Sequence, residues 1–398
     1  MTDAPGIDAV FDLDGLLTED ELDWQRRVRA FTQERIVPVI EDDWERAYFR
    51  RELVKELGDL GVLGMHLTGY GCAGAGAVAY GVACLELEAG DSGWRTLVSV
   101  QGSLAMSAIH KHGSEEQKQR WLPGMAAGDL LGCFALTEPQ GGSDPAAMRT
   151  VARRDGDQWV LDGAKRWIGL ASLADVAVVW ARVDDPSGAY GEGAKAVRGF
   201  LVPTSTPGFT ATPIEPKRSM RASVQCDIAL DGVRLPADAI LPGASGLSGP
   251  FACLNEARYG IVWGAMGAAR SSIEVAIERS ATREVFGRPI GANQLTQAKL
   301  ADMVVEYEKG VLLALHLGRL KERGAITPAQ ISVGKLNSVR EALKIAHEAR
   351  SILGGDGITG AFPVMRHAAN LESVRTYEGT DEIHQLVIGR TLTGLDAF

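Results

Sequence analysis

"AVFDLDGLLTEDE", residues 9–21, admits two readings that lead to different folds. If Ala9, Val10 and Phe11 end a buried parallel strand, Asp12 and Asp14 stand at its C-terminal edge as a nucleophile and an acid for phosphoryl transfer. If Thr18 caps a helix, the same aspartates are surface residues ahead of a helix N-terminus, where their charge meets the helix dipole favourably. Thr18 and Glu21 make the T-x-x-E pattern of a capping box, and Leu22, Val28 and Phe31 follow on a helical period. Only three apolar residues precede Asp12, and no later apolar strand ends in an acidic pair suited to Mg²⁺. The helical reading is the better one.

The discarded reading is that of a haloacid dehalogenase-type phosphatase, whose parallel sheet needs strands and helices to alternate along the chain. They do not. From Thr18 to about Leu130 the periodicity is helical, in "FRRELVKELGDLG", "AVAYGVACLELEAGD", "WRTLVSVQGSLAMSAIHKHG" and "SEEQKQRWLPGMAAG", the last opening on Ser114 as N-cap. From about Gly132 to Leu241 short apolar runs such as "VAVVWARV" and "GFLVPT" alternate with Asp-Gly turns, which predicts a small antiparallel β domain. Helical periodicity returns near 251–280, 292–323, 328–353 and 363–376, with a last segment after 380. The expected class is therefore α+β, mainly α: an N-terminal α-helical domain (1–131), a middle antiparallel β domain (132–241) and a C-terminal four-helix bundle (242–398).

Composition narrows the function classes. At 398 residues, 45% hydrophobic and 23% charged, the chain can bury a large core, and a net charge of −10 argues against broad nucleic-acid binding or an anionic membrane surface. No apolar run approaches the roughly 20 residues of a membrane span. The opening residues are acidic and no arginine precedes Arg26, so neither a secretory signal nor a transit peptide is expected, and the expected location is the cytoplasm. The five cysteines, Cys72, Cys84, Cys133, Cys226 and Cys253, make no CxxC pair and read as buried structural thiols, and no metal site is expected. "GYGCAG", Gly69 to Gly74, matches GxGxxG but lies between helical segments, outside any βαβ unit, and reads as a loop.

The strongest chemical signal is "NLESVRTYEGTDEIHQLVIGR", residues 370–390. Glu378 falls in a helix-breaking interval, where apolar helices on both sides can desolvate its carboxylate, raise its pKa and make it a usable base. This segment resembles the acyl-CoA dehydrogenase family, in which the glutamate of Y-E-G-T removes the α-proton of an acyl-CoA thioester. "CFALTEPQGGSDP" (133–145), "TREVFGRPIGANQLTQAKLADM" (282–303) and "LGGDGITG" (353–360) resemble the family's flavin segments in the same order.

The resemblance implies FAD as cofactor and Glu378 as catalytic base. Phe134, Leu136 and Thr137 would lie along the flavin, Ser143 would reach the pyrophosphate, and Trp167 would cover a ring face, with Ile168 and Gly169 also at the cofactor. Arg283, Phe286 and Gln294 resemble residues that reach the FAD of a neighbouring subunit in a homotetramer. Gly354 and Gly355 would let the backbone approach the cofactor, and Thr380 and Glu382 would line the adenine half. Within the family, "GYGCAGAGAVAYGVACLELEAGDSGWRTLVSVQGSL" and "LPGASGLSGPFACLNEARYGIVWGAMGA" are most similar to the glutaryl-CoA dehydrogenase branch. There Arg95 would pair with the substrate's distal carboxylate, assisted by Glu88 and Ser99, with Tyr377 also binding substrate and Arg258 near the CoA. Glu88 precedes Arg95 by about two helical turns, so both face one pocket if the helix is continuous across Gly90. The resemblance implies oxidation and decarboxylation of glutaryl-CoA to crotonyl-CoA and CO₂. A short-chain acyl-CoA oxidase, or a dehydrogenase of another carboxylated or short acyl thioester, stands as the alternative.

Three positions depart from the family pattern. "WIGLAS" has Gly169 and Leu170 where W-I-T-N or W-I-S-N is usual, Ser219 replaces a common Gly, and Asp356 replaces Asn. The first removes a hydroxyl expected beside flavin N5 and leaves the acceptor open between electron-transfer flavoprotein and O₂.

Overall fold

The computed structural model describes Ile7 and residues 10–397. Ala9 of the opening stretch, and the acidic residues Asp3 and Asp8, lie outside the described residues. Asp12 and Asp14 are exposed, and an Asp12 oxygen accepts from the Gly15 N–H at 3.0 Å in a surface turn. Thr18 then caps α1 (Glu19–Phe31), with its capping box to Glu21 complete. The helical reading of that stretch holds, and among the described residues no strand leads into Asp12 as the phosphatase reading requires.

After α1 come α2 (Val37–Arg46), α3 (Glu52–Leu60), α4 (Ala77–Gly90), α5 (Ser92–Val98), α6 (Ser107–His112) and α7 (Glu115–Ala126). "GYGCAG" is the loop before α4, with Gly69, Gly71 and Gly74 all at positive φ. Every residue of α4 is buried, as an apolar sequence on all sides requires. The segment read as one helix over 94–113 carries a π-helical stretch, Ser99–Met106, between α5 and α6. Such wide turns are uncommon and often accompany functional sites.

The sheet comprises β1 (Gly132–Ala135), β2 (Val151–Asp155), β3 (Gln158–Gly169), β4 (Val176–Asp184), β5 (Val197–Pro203), β6 (Phe209–Pro213) and β7 (Gln225–Pro236). Its order is β1-β4-β2-β3-β7-β6, with β5 also on β4. Most pairings are antiparallel, as expected, but β4 runs parallel to both β1 and β2. Nothing local distinguishes such a pair, because "VAVVWARV" is buried on both faces in either arrangement. One sheet face, with Val176, Val178 and Trp180, joins the main helical core, while Ala177, Val179, Trp159 and Phe200 form a second core.

The remaining chain is α8 (Ser248–Thr282), a two-strand hairpin of β8 (Glu284–Val285) and β9 (Arg288–Pro289), α9 (Gln294–Glu322), α10 (Pro328–Leu353), α11 (Val364–Thr376) and α12 (Asp381–Thr393). Glycines set the spacing of α8 against α4: a β-carbon on Gly267 would lie 1.9 Å from the Leu85 carbonyl oxygen. The cysteines are all free; four are buried and Cys72 is half-buried, a departure from five buried thiols. No helix among the described residues is long and apolar enough to cross a membrane.

Candidate active site

Tyr377, Glu378 and Gly379 connect α11 to α12, and Glu378 takes a left-handed backbone, φ 54°. That conformation costs a non-glycine residue about 1–3 kcal/mol unless its surroundings impose it. Here they do. Arg258 Nε of α8 donates to the Glu378 carbonyl at 2.8 Å, and Lys335 Nζ of α10 donates to the Tyr377 and Gly379 carbonyls at 2.6 Å each. Three successive carbonyls are thus held by two cations. Gly379, at φ 98°, leaves no room for a side chain, since a β-carbon would meet His384 Nε2 at 2.9 Å.

The Glu378 carboxylate is aimed inward, and its Oε2 is buried without a hydrogen-bond partner. Burial raises its pKa above the usual carboxylate range, and the nearby charges of Arg95, Lys335 and Arg258 only partly pull it back. A carboxylate so placed can accept a proton from a weakly acidic donor.

Arg95 lies on α5, fully buried, with Nε on Glu88 Oε2 at 2.6 Å. Its Nη2 donates to the Tyr377 hydroxyl, which also meets Thr96 Oγ1 at 3.1 Å. Burial works against the guanidinium charge, but Glu88 outweighs it and holds the Arg95 pKa well above its ordinary value. The pairing does not come from a continuous helix, as the spacing suggested. The helix breaks at Asp91, whose extended backbone (φ −166°) ends α4 and whose side chain caps α5. Arg366 and Asn370 of α11 hold Asp91 at 2.9 and 2.8 Å, and that anchored break turns Arg95 back onto Glu88. Around the pair, Glu88 Oε1, Arg95 Nη1 and Ser99 Oγ are buried and unpartnered. Each such atom costs about 1–3 kcal/mol if left dry, so their clustering marks a place built to take a polar ligand.

Just beyond α5, in the π-helical stretch, Val100 meets Gly169 of β3: a β-carbon there would lie 3.3 Å from Val100 Cγ2. The helix therefore links the Glu378 loop to the end of β3. A bulge between Lys165 and Ile168 breaks the β3 register there, and Trp167 (φ 63°) turns outward, 52% exposed. Ile168 points into the second core instead. Beside Trp167, Thr137 accepts from the Arg166 N–H through its carbonyl, while Phe134 packs on Trp180 and Leu136 is buried. Buried Lys165 secures this strand end, with Nζ on the Leu136 carbonyl at 3.1 Å and on Glu138 at 2.8 Å. Ser143 is exposed on the following loop.

The other expected residues gather elsewhere. Arg279 of α8 pairs with Asp356, so the turn bearing Gly354 and Gly355 sits at the far end of α8, beside the segment of Arg283, exposed Phe286 and Gln294. At ~1.5 Å per residue that end is about 30 Å along α8 from Arg258. Within one chain the structure does not bring these residues to Glu378. Thr380 is occupied in capping α12, and Glu382 is exposed in its first turn.

Sequence reasoning missed Lys335, Thr96, Asp91 and Gly264. Lys335 had a readable signal: it is a lone lysine on an apolar row, four residues from both Ile331 and Val339, and all three are buried. Gly264 of α8 makes room for the Glu88–Arg95 pair, as a β-carbon there would fall 2.1 Å from Glu88 Oε2. Among the described residues no group of three or more His, Cys, Asp or Glu side chains is arranged to hold a metal.

Three family models match the chain in order: the acyl-CoA dehydrogenase N-terminal domain over residues 18–129, the middle domain over 133–233 and the C-terminal domain over 245–393. The chain is similar to the crystal structure of a glutaryl-CoA dehydrogenase from Mycobacterium smegmatis, at 60% identity and TM-score 0.95 with 99% of each chain covered. A structure of a glutaryl-CoA dehydrogenase from the same organism in complex with FADH2 matches at 59% identity and TM-score 0.94 over 98% of each chain. The human mitochondrial short-chain specific acyl-CoA dehydrogenase is 36% identical over 363 residues, 90% of this chain and 87% of that protein. With a helical–β–helical order matched from end to end and a half-buried glutamate between its last two helices, the chain belongs to the acyl-CoA dehydrogenase family.

Proposed function

We propose that the protein is an FAD-dependent dehydrogenase of a short acyl-CoA carrying a distal carboxylate, with glutaryl-CoA the favoured substrate. One observation carries the substrate reading. Arg95 is fully buried, tied to Glu88 and Tyr377, and keeps one guanidinium nitrogen unpartnered beside the unpartnered hydroxyl of Ser99. A pocket for plain alkyl chains has no use for a buried cation, whereas a planar guanidinium suits a carboxylate.

The residues present fit FAD. Trp167 presents an exposed indole beside Thr137, and nothing lies within 4 Å of where β-carbons would stand on Gly141, Gly354 and Gly355. Thr137, Ser143, Trp167 and Gly169 would hold the flavin and pyrophosphate of one site. Arg283, Phe286, Gln294, Gly354 and Gly355, about 30 Å away along α8, would serve a neighbouring subunit's site, which fits a homotetramer. When bound, FAD supplies the acceptor for the hydride leaving the substrate β-carbon. The Glu378 carboxylate takes the α-proton, so that Cα–H breaks as O–H forms. The Glu378 backbone N–H steadies the thioester oxygen as charge develops there. Arg95 and Ser99 hold the distal carboxylate, which fixes the α-carbon under Glu378. With glutaryl-CoA the first product is glutaconyl-CoA, whose carboxylate leaves as CO₂ while Glu378 returns its proton to the chain, giving crotonyl-CoA.

The acceptor that reoxidises the flavin is electron-transfer flavoprotein on family grounds. O₂ is a second reading, favoured by the side-chain-free Gly169. The test is a substrate panel read by anaerobic bleaching of the flavin, with CO₂ measured in parallel. Glutaryl-CoA should bleach fastest and release one CO₂ per turnover; faster bleaching by butyryl-CoA overturns the substrate reading. Glu378→Gln should retain FAD and bind acyl-CoA while losing about 10²–10⁴-fold or more in flavin reduction.

A further inference from the structure

We propose that Lys335 is a positioning residue for the base: by donating to the Tyr377 and Gly379 carbonyls it fixes Glu378 in its left-handed conformation and places a buried cation beside the carboxylate. The inference rests on the reading of Glu378 as base.

Geometry carries it. Lys335 comes from α10 and is 1% exposed. Its ammonium reaches around Glu378 to the carbonyl on each side, 2.6 Å away, while Arg258 takes the carbonyl between them. Hydrogen bonds to a charged donor are stronger than neutral ones, and three of them on successive carbonyls hold the φ 54° that a non-glycine residue otherwise avoids. Tyr377 is held between the two cations, with its ring 5.8 Å from Arg95 and 6.0 Å from Lys335. One contact set therefore ties the backbone of the base to the hydroxyl that meets Arg95.

The anchoring ammonium is also coupled to the carboxylate it positions: burial pulls its pKa down to about 7, and Glu378 is the foremost group opposing that fall, with Asp381 adding to it. Arg258 on α8 and Arg95 on α5 push the other way, and His384 on α12 feels the lysine as well. Removing the ammonium takes from Glu378 one of the three cations that partly offset the rise in its pKa.

The experiment uses the FAD-loaded enzyme and Lys335→Met, with Glu378→Gln as control. Flavin reduction that survives Glu378→Gln overturns the base assignment itself, whatever Lys335 does. With that control passed, Lys335→Met should lower the anaerobic reduction rate by about 10-fold or more and shift the acid limb of its pH profile upward. Its KM for acyl-CoA should stay within about threefold. Independent of hydride transfer, α-proton exchange in D₂O should slow in parallel, measured by NMR on an acyl-CoA analogue with sulfur at the β-position. Lys335→Arg, which keeps the charge, should return the acid limb towards wild type. Should Lys335→Met not fold, Lys335→Gln is read in the same way. An unmoved acid limb, with loss only of thermal stability, makes Lys335 a loop anchor and overturns the proposal.

Discussion

Gly264 of α8 is held against Glu88 of α4 so closely that a β-carbon on it would lie 2.1 Å from the carboxylate oxygen that accepts from Arg95, and 3.0 Å from Arg95 Nε. The ion pair fits only because that helix face is bare. Gly264→Ala gains about 1 kcal/mol of helix propensity. It also drives a methyl group into a pinned, fully buried pair, where overpacking costs about 1–3 kcal/mol. The clash should win. We expect a lower unfolding temperature and a kcat/KM for glutaryl-CoA that falls about 10-fold or more, against a small change for butyryl-CoA. A variant with unchanged preference between the two substrates would separate the pair from substrate choice.

Arg95 needs a two-residue test. Arg95→Met alone strands Glu88, fully buried, without its cation, and breaking one half of a buried pair costs about 3–5 kcal/mol in stability. Activity losses in that variant would mix folding with recognition. The double variant Arg95→Met, Glu88→Gln removes both charges and should unfold near the wild-type temperature. Its kcat/KM for glutaryl-CoA should still drop roughly 30-fold or more relative to butyryl-CoA, the share of a lost charged contact of about 2–5 kcal/mol. Equal losses on both substrates would make Arg95 structural.

What could be read in the sequence was local, and what could not was not. Thr18 and Glu21 announce their helix because a capping box is complete within four residues. The Glu378 interval was legible for the same reason, since Tyr377 to Thr380 interrupts a helical period. The seven-residue spacing brings Glu88 and Arg95 to one pocket only along a continuous helix, and that helix does not exist; they meet across a break at Asp91 secured by Arg366 and Asn370, far along the chain. The outward turn of Trp167 depends on a register shift against β7, which no pattern within β3 reveals. Lys335 stands out as a lone lysine on an apolar row, but its partners do not, because they are backbone carbonyls and a carbonyl looks the same beneath every side chain.

His384 makes stability depend on pH. It is 1% exposed, with Nδ1 3.0 Å from Ser332 Oγ, and burial, followed by the Lys335 and Arg258 charges, holds its pKa down to about 3. Between that value and the ordinary 6.5 the unfolded chain binds a proton that the folded chain refuses. Stability from this group is therefore full above about pH 6.5 and falls as the pH drops towards 3. From pH 6.5 to 5 it should account for about 1.5–2 kcal/mol. His384→Gln should narrow the gap between unfolding at pH 5 and at pH 7.5, measured by scanning calorimetry. An unchanged gap would assign the acid sensitivity to other groups, with His66, held down to about 4 by burial, first among them.

Gly169 offers a test of the acceptor. Family members commonly carry a Thr or Ser at this place, whose hydroxyl would fill space beside flavin N5; here the backbone of β3 is bare and faces Val100. A β-carbon would stand 3.3 Å from Val100 Cγ2, a contact that a shift of a few tenths of an ångström relieves, so Gly169→Thr should fold. If Gly169 lies beside the flavin as proposed, the missing side chain would leave the reduced ring less covered on the side where a small molecule such as O₂ can approach. We expect the wild-type enzyme, reduced anaerobically with substrate and mixed with oxygenated buffer, to reoxidise faster than Gly169→Thr and to release more peroxide. Val100→Ala in the Gly169→Thr background relieves the contact and checks that any slowing comes from the added hydroxyl and methyl and not from a displaced strand. Equal reoxidation rates, with no peroxide from either protein, would leave electron-transfer flavoprotein as the acceptor.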